Sequence, residues 1–282
     1  MAYLMRARAL ALCLAAALPG LAHAQCRPGP NSNEARLLAY YAVPLAFSPS
    51  GVLEPLPVGG VRLAFDLTWI PAPSDELQRT DRCFLPKGEN TQLAPVLPRP
   101  RVAVGLPAGL VLEATWLPPL TVADATPNMA SIALSVVRPV SPVLGVAVRA
   151  HATVGEVTGP ITCPREALQL DDAGAACYGT APSEDTYHPN VAGVELALTW
   201  RGHRLAGYAG AGLSSLRPRF RVGFQEAGGD YDATRVIVDM SRVTALAGVR
   251  WLLTESADLH GEAYAVPEDL TVLRVGASIR VR

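Results

Sequence analysis

The chain has 282 residues, a formal net charge of −1, 17% charged residues and 50% hydrophobic ones. Near-neutrality excludes a charge-driven role on nucleic acid or on a membrane surface. A charged share well below the roughly 25% of an ordinary soluble domain, with no later apolar run long enough for a transmembrane helix, points to a large surface that does not face water.

In chain order, Arg6 and Arg8 precede an apolar run, "ALALCLAAALPGL", and the small-residue stretch "AHA" ends at Ala24. This is the layout of a secretory leader, expected to occupy 1–24 with cleavage after Ala24. Four cysteines follow it, Cys26, Cys83, Cys163 and Cys177. An even count in an exported chain reads as two disulfides. Cys163 and Cys177 close a short loop, worth about 3 kcal/mol by chain entropy, and Cys26 pairs with Cys83 by elimination. No C-x-x-C or histidine spacing suits a metal, so neither metal nor cofactor is expected.

Residues 25–59 form a separate N-terminal segment. Asn31, Ser32 or Asn33 can cap a helix with Glu34 in its first turn and Leu37, Leu38 and Tyr41 on one side, until Pro44 interrupts it. If Cys26 bonds to Cys83 at one rim, the segment must travel back through or around the following domain to begin its first strand. It is therefore a candidate lumen plug.

From residue 61 onward the chain alternates apolar and polar side chains, the period of strands with one apolar face. Val61, Leu63, Phe65, Leu67 and Trp69 oppose Arg62, Asp66 and Thr68, and the same split recurs over 110–117, 130–137, 143–155, 191–200, 258–265 and 272–281. Glycine-rich 205–215 is ambiguous, 234–252 changes parity near Ser241 as at a bulge, and 101–106 is a weaker strand. The count is about ten. Long connections (70–100, 118–129, 156–189, 217–233) alternate with tight ones ("LPAG", "RPVSP", "RGHR", "LTESAD") until the last hairpin, "VPEDL". Long loops at one rim and short turns at the other mark a transmembrane barrel and have no cause in a sandwich.

With alternation, outward aromatics, leader and loop lengths together, residues 60–282 resemble a Gram-negative outer-membrane β-barrel protein. The resemblance implies an all-β fold: an antiparallel up-and-down transmembrane barrel of about ten strands behind a short helical segment, placed in the outer membrane. It also implies membrane lipid and the outer-membrane assembly machinery as partners, although the chain ends "SIRVR" and not on the aromatic residue that machinery commonly reads.

In this register Trp69, Trp116, Trp200 and Trp251 face lipid, two at each interface, where amphipathic rings are favoured. The opposite set faces the lumen: Arg62, Asp66, Glu113, Arg149, His151, Glu195, Arg250, Glu262, Tyr264, Arg274 and Arg280. Acids and arginines balance, as in an interior ion-pair network filling a small barrel; the functional alternative is a narrow polar pore or a binding cavity. The role expected is therefore transport or structural, with two rivals. One is a barrel enzyme acting on lipid or peptide at the outer rim, with His188 near Ser183, Glu184 and Asp185 as its weak catalytic candidate. The other is a soluble periplasmic sandwich or lipocalin-like binder.

Overall fold

The computed structural model describes residues 25–51, 53–79, 83, 95–122 and 124–281; the leader lies outside them. Ten strands form the barrel: β1 (Val61–Trp69), β2 (Val96–Gly105), β3 (Leu110–Leu117), β4 (Thr126–Pro139), β5 (Leu144–Gly159), β6 (Val191–Arg201), β7 (Leu205–Leu216), β8 (Met240–Leu252), β9 (Ala257–Val266) and β10 (Leu270–Arg280). Each pairs antiparallel with its neighbours in sequence, and β10 returns to β1 from Leu273↔Trp69 to Arg280↔Arg62, closing the ring. Closure removes the sheet edges that a membrane interior cannot satisfy.

Alternation orients the wall. Phe65, Trp116, Ile132, Leu196, Leu198, Val249 and Val275 are exposed on the outside, whereas Asp66, Arg149, Glu195, Glu262 and Arg274 are buried inside. An apolar exterior around a charged interior reverses the arrangement of a soluble lipocalin-like barrel, and a contiguous apolar belt of this extent is not tolerated in water. Trp69 and Trp116 stand at the end carrying the long loops, Trp200 and Trp251 at the end carrying the tight turns, and all four are exposed.

Two segments differ from the sequence expectation. The residues read as one bulged strand over 234–252 are two strands, Arg235–Ile237 in the outer loops and β8 from Met240. Within β8 the pairing to β7 runs unbroken from Met240↔Leu216 to Trp251↔Leu205, so the parity change is a chain break between strands and not a bulge. The weak strand expected at 101–106 starts at Val96, because Pro98 and Pro100 are accommodated within it.

Above the loop end, the last residues of β5 (Val157–Gly159) run past the start of β6 and pair with Asp185–Tyr187 of the short strand Asp185–His188. That strand is followed by Arg219–Arg221, by Arg235–Ile237 and, in parallel, by Gln25–Cys26. Disulfides Cys26–Cys83 and Cys163–Cys177 brace this small sheet.

Helix α1 (Asn33–Ala42) lies beneath it. The Ser32 hydroxyl accepts from the Ala35 amide at 3.2 Å, capping the helix, and a single turn of 3-10 helix over Val43–Leu45 carries the chain past Pro44. Leu38 and Tyr41 of α1, Leu117, Met129, Phe220 and Val236 belong to one apolar cluster, so the lumen is apolar at its loop end. Below α1 the chain descends inside the wall. It leaves at the turn end, where the Gly59 and Gly105 amides donate to the Gly105 and Gly60 carbonyls, each at 2.9 Å. A Cβ on Gly105 would come within 2.1 Å of the Pro57 carbonyl, so only glycine allows this exit.

Candidate functional site in the barrel interior

Past the single 3-10 turn the chain joins no helix or strand, so the carbonyls of residues 44–48 need donors from the wall. Arginines supply them. Arg99 donates to Ala46 at 3.0 Å and Leu45 at 3.1 Å, and Arg101 to Ser48 at 2.7 Å. Arg149 donates to Phe47 and Ser48, and Arg274 to Ala46 at 3.2 Å and Pro44 at 3.3 Å. The Phe47 ring sits against the guanidinium groups of Arg101 at 4.3 Å and Arg149 at 5.2 Å, a cation–π arrangement suited to a desolvated site.

Carboxylates from neighbouring strands neutralise Arg101, Arg149 and Arg274. Asp66 binds Arg101; Glu113 lies 3.2 Å from Arg149 and 3.4 Å from Arg101; Glu195 is 3.1 Å from Arg149 and Glu262 is 3.0 Å from Arg274. Glu262 also accepts from the Ser50 amide at 2.9 Å and from the Ser48 and Tyr208 hydroxyls, tying the segment to β9 and β7. A buried charge persists only when paired and hydrogen-bonded; Arg101, Arg149 and Arg274 meet that condition with carboxylates and the segment together, whereas Arg99 is held by the segment's carbonyls.

A second cluster holds the segment at the turn end. Both Glu54 carboxylate oxygens accept from Arg250 at 2.7 Å, Arg280 adds a bond at 2.9 Å, Arg62 is in contact, and Arg201 lies 3.8 Å away. Near the rim of β8, Arg242 donates to Asp269 at 2.8 Å and to the Pro30 carbonyl at 2.7 Å. On the loop side, the Tyr187 hydroxyl donates to the Leu38 carbonyl at 2.8 Å, and burial holds the phenol well above its ordinary pKa, so it keeps the proton it donates.

The inward set read from alternation is brought together here: Asp66, Glu113, Arg149, Glu195, Glu262 and Arg274 in the central cluster, and Arg62, Arg250 and Arg280 around Glu54. His151 reaches Glu195 at 3.4 Å, and Tyr264 lies 5.1 Å from the Arg274 guanidinium. Arg99, Arg101, Glu54, Tyr208, Asp258 and His260 were missed. Arg99 and Arg101 alternate correctly in "LPRPRV", but the prolines beside them masked the strand. Nothing in the pre-barrel sequence marks Glu54.

The interior holds no nucleophile activated by a base among the described residues. His260 faces Asp66 at 2.8 Å and Asp258 at 3.4 Å, and the Ser278 hydroxyl donates at 2.8 Å to that same Asp258, so serine and imidazole bind one carboxylate without meeting. At the rim, Ser183 and Thr162 donate to Asp185, as does the Gly223 amide. His188, three residues on and therefore on the opposite face of its strand, faces the Gly155 carbonyl at 3.0 Å and Glu156 at 3.8 Å. The rim candidate is thus not assembled.

Between Ser50, Gly51, Arg62, Glu113, Ser135 and His260 lies a cavity of about 30 Å³, space for one or two waters. A recess of about 140 Å³ bounded by Leu53, Pro55, Val143, Thr199 and Trp200 opens at the turn end.

The chain folds as a closed ten-stranded antiparallel β-barrel with an apolar outer face. No protein-family model matches it, and no curated protein does. Among solved structures it is similar to the outer-membrane protease OmpT of Escherichia coli, at 9% identity over 79% of this chain and 94% of that one, TM-score 0.42. It is also similar to the attachment invasion locus protein Ail of Yersinia pestis, at 9% identity over 79% and 99%, TM-score 0.33. A third is the toluene transporter TodX of Pseudomonas putida, at 9% identity over 80% and 68%, TM-score 0.31. None of these likenesses carries a role over to this chain; the architecture rests on the closed ladder and the outward apolar belt.

Proposed function

We propose that the protein is exported by a leader cleaved after Ala24, is placed by the assembly machinery in the outer membrane, and serves there as a closed barrel with residues 25–59 as its lumen plug. The observation that carries this reading is the clamp of Arg99, Arg101, Arg149 and Arg274 on the carbonyls of residues 44–48. A diffusion pore needs a continuous aqueous path; here the polar lining groups are spent on the protein's own backbone, and the cavity beside the clamp holds one or two waters.

The role is accordingly structural or binding, exercised at the wall and the braced outer surface. In planar bilayers the purified barrel should show no steady conductance, while unboiled samples from the outer-membrane fraction should migrate as a heat-modifiable folded band. Ohmic conductance from the unmodified protein would sink the plug, and recovery from the soluble periplasm would sink the membrane placement.

A further inference from the structure

The wall is not uniformly laddered. Neighbouring strands share at least eight consecutive paired residues everywhere except between β2 and β3, where pairing covers only Val102–Gly105 with Val111–Ala114. Beyond Val102↔Ala114 the ladder stops, although β2 stays paired to β1 as far as Val96↔Trp69 and β3 to β4 as far as Leu117↔Met129. The cause is in the sequence. N–H groups alternate sides along a strand, and the two residues of β2 that would donate to the loop-end half of β3 are Pro98 and Pro100, which have no N–H. Continuing the register would set Pro100 against Trp116 and Pro98 against Pro118. Across this gap the Thr115 hydroxyl donates from inside the barrel to the Pro100 carbonyl.

What lies on either side of the gap is unusual. Outside are Phe65, Val102 and Trp116, exposed members of the apolar belt. Inside, Leu97 and Leu117 point from the two seam strands into the same apolar cluster as Ile70, Met129 and the residues of α1. Barrel lumens are polar as a rule; in this one the apolar tier lies at the height where the wall lacks its ladder. Unladdered backbone facing hydrocarbon is costly, so a gap there is not a default outcome of barrel folding.

We propose that the loop-end half of the β2–β3 seam is a lateral entry site for the acyl chain of a membrane lipid, which passes between Pro100 and Trp116 to lie against Leu97, Leu117 and Met129 beneath α1. The occupant is a lipid chain because the gap opens onto the belt and Leu97, Leu117 and Met129 behind it are hydrocarbon. The site rests on the membrane placement proposed above. Arg99, turned inward between Pro98 and Pro100, and Arg101 form the floor of the tier, both guanidinium groups being spent on the carbonyls of residues 45–48.

The test uses the full-length barrel in liposomes of phosphatidylcholine carrying a photoactivatable diazirine on one acyl chain, with adducts mapped by mass spectrometry. The wild type should be labelled at outward Leu196 and Leu198 and also at inward Leu97, Leu117 or Met129. The P98V/P100V variant restores two donors; at the usual net worth of two hydrogen bonds, inward labelling should fall about ten-fold while outward labelling stays. T115V removes the one side-chain bond across the gap and should raise inward labelling. Both variants must first show the folded, heat-modifiable band. Outward adducts alone in the wild type, or inward adducts undiminished in P98V/P100V, would overturn the entry site while leaving the membrane placement intact. No adducts at Leu196 or Leu198 would overturn the placement and the entry site together.

Discussion

Glu54 shows how much one side chain outside the strands holds together. Its carboxylate is shared by Arg62, Arg250 and Arg280, with Arg201 close by, and its own side chain is 6% exposed. Glu54→Gln keeps the shape and removes the only charge those guanidinium groups have in common, so like charges on three strands are left facing one another. Breaking a buried pair from one side costs about 3–5 kcal/mol. The folded band of the variant should lose that much stability in a urea titration in detergent; an unchanged midpoint would mean the cluster is open to solvent. His188 is the contrasting case. Its ring is about two-fifths exposed and touches only one carbonyl and one glutamate, so His188→Ala should shift the midpoint by less than about 1 kcal/mol.

At the scale of elements, a charge on the apolar face tests what that face meets. Leu196 is 57% exposed on β6, about midway between the interface residue Trp200 and the loop end of the strand. Leu196→Arg should cost about 2–4 kcal/mol in lipid, the depth-dependent range for arginine near a bilayer midplane, and almost nothing if water lies there. Unfolding in liposomes, compared with Leu259→Arg near the turn end as the shallower control, reads the difference. Such faces were legible in the sequence because a strand's period is fixed at two: once Phe65 points out, Asp66 must point in. What was illegible has physical reasons too. Pro98 and Pro100 lack donors and so argued against a strand, yet β2 uses them where their missing N–H groups face β3, the one neighbour with which pairing is abandoned. The break between Ile237 and Met240 mimicked a bulge because both shift parity by one residue. Alternation also says nothing of residues 43–57, whose partners are on strands far away in sequence; only the donor-rich inward faces hint that something unpaired must fill the lumen.

At the scale of the whole molecule, the Cys26–Cys83 bond closes a ring 57 residues apart in sequence that contains α1, the descending segment and β1. The chain enters the barrel at the loop end, runs down inside, turns at Gly59 and returns upward as β1 in the wall itself. Because β1 is also the strand on which β10 closes the barrel, the ring fixes the filling segment beside the closing seam. The chain-entropy estimate for a loop of this length is about 4 kcal/mol, more than the Cys163–Cys177 loop supplies, and it acts on the unfolded chain. The C26S/C83S variant should therefore lose about that stability in urea even though every clamp residue remains. C163S/C177S should lose about 3 kcal/mol and leave the lumen contacts untouched. The two variants also separate two ideas of what keeps the barrel closed. If the clamp alone suffices, C26S/C83S stays silent in a planar bilayer despite its lower midpoint; if the ring is needed to hold α1 in the mouth, the variant shows conductance while C163S/C177S does not. The eight or more clamp and Glu54 bonds below α1 lie between the disulfide and the turn end, so silence in both variants is the outcome expected from the geometry.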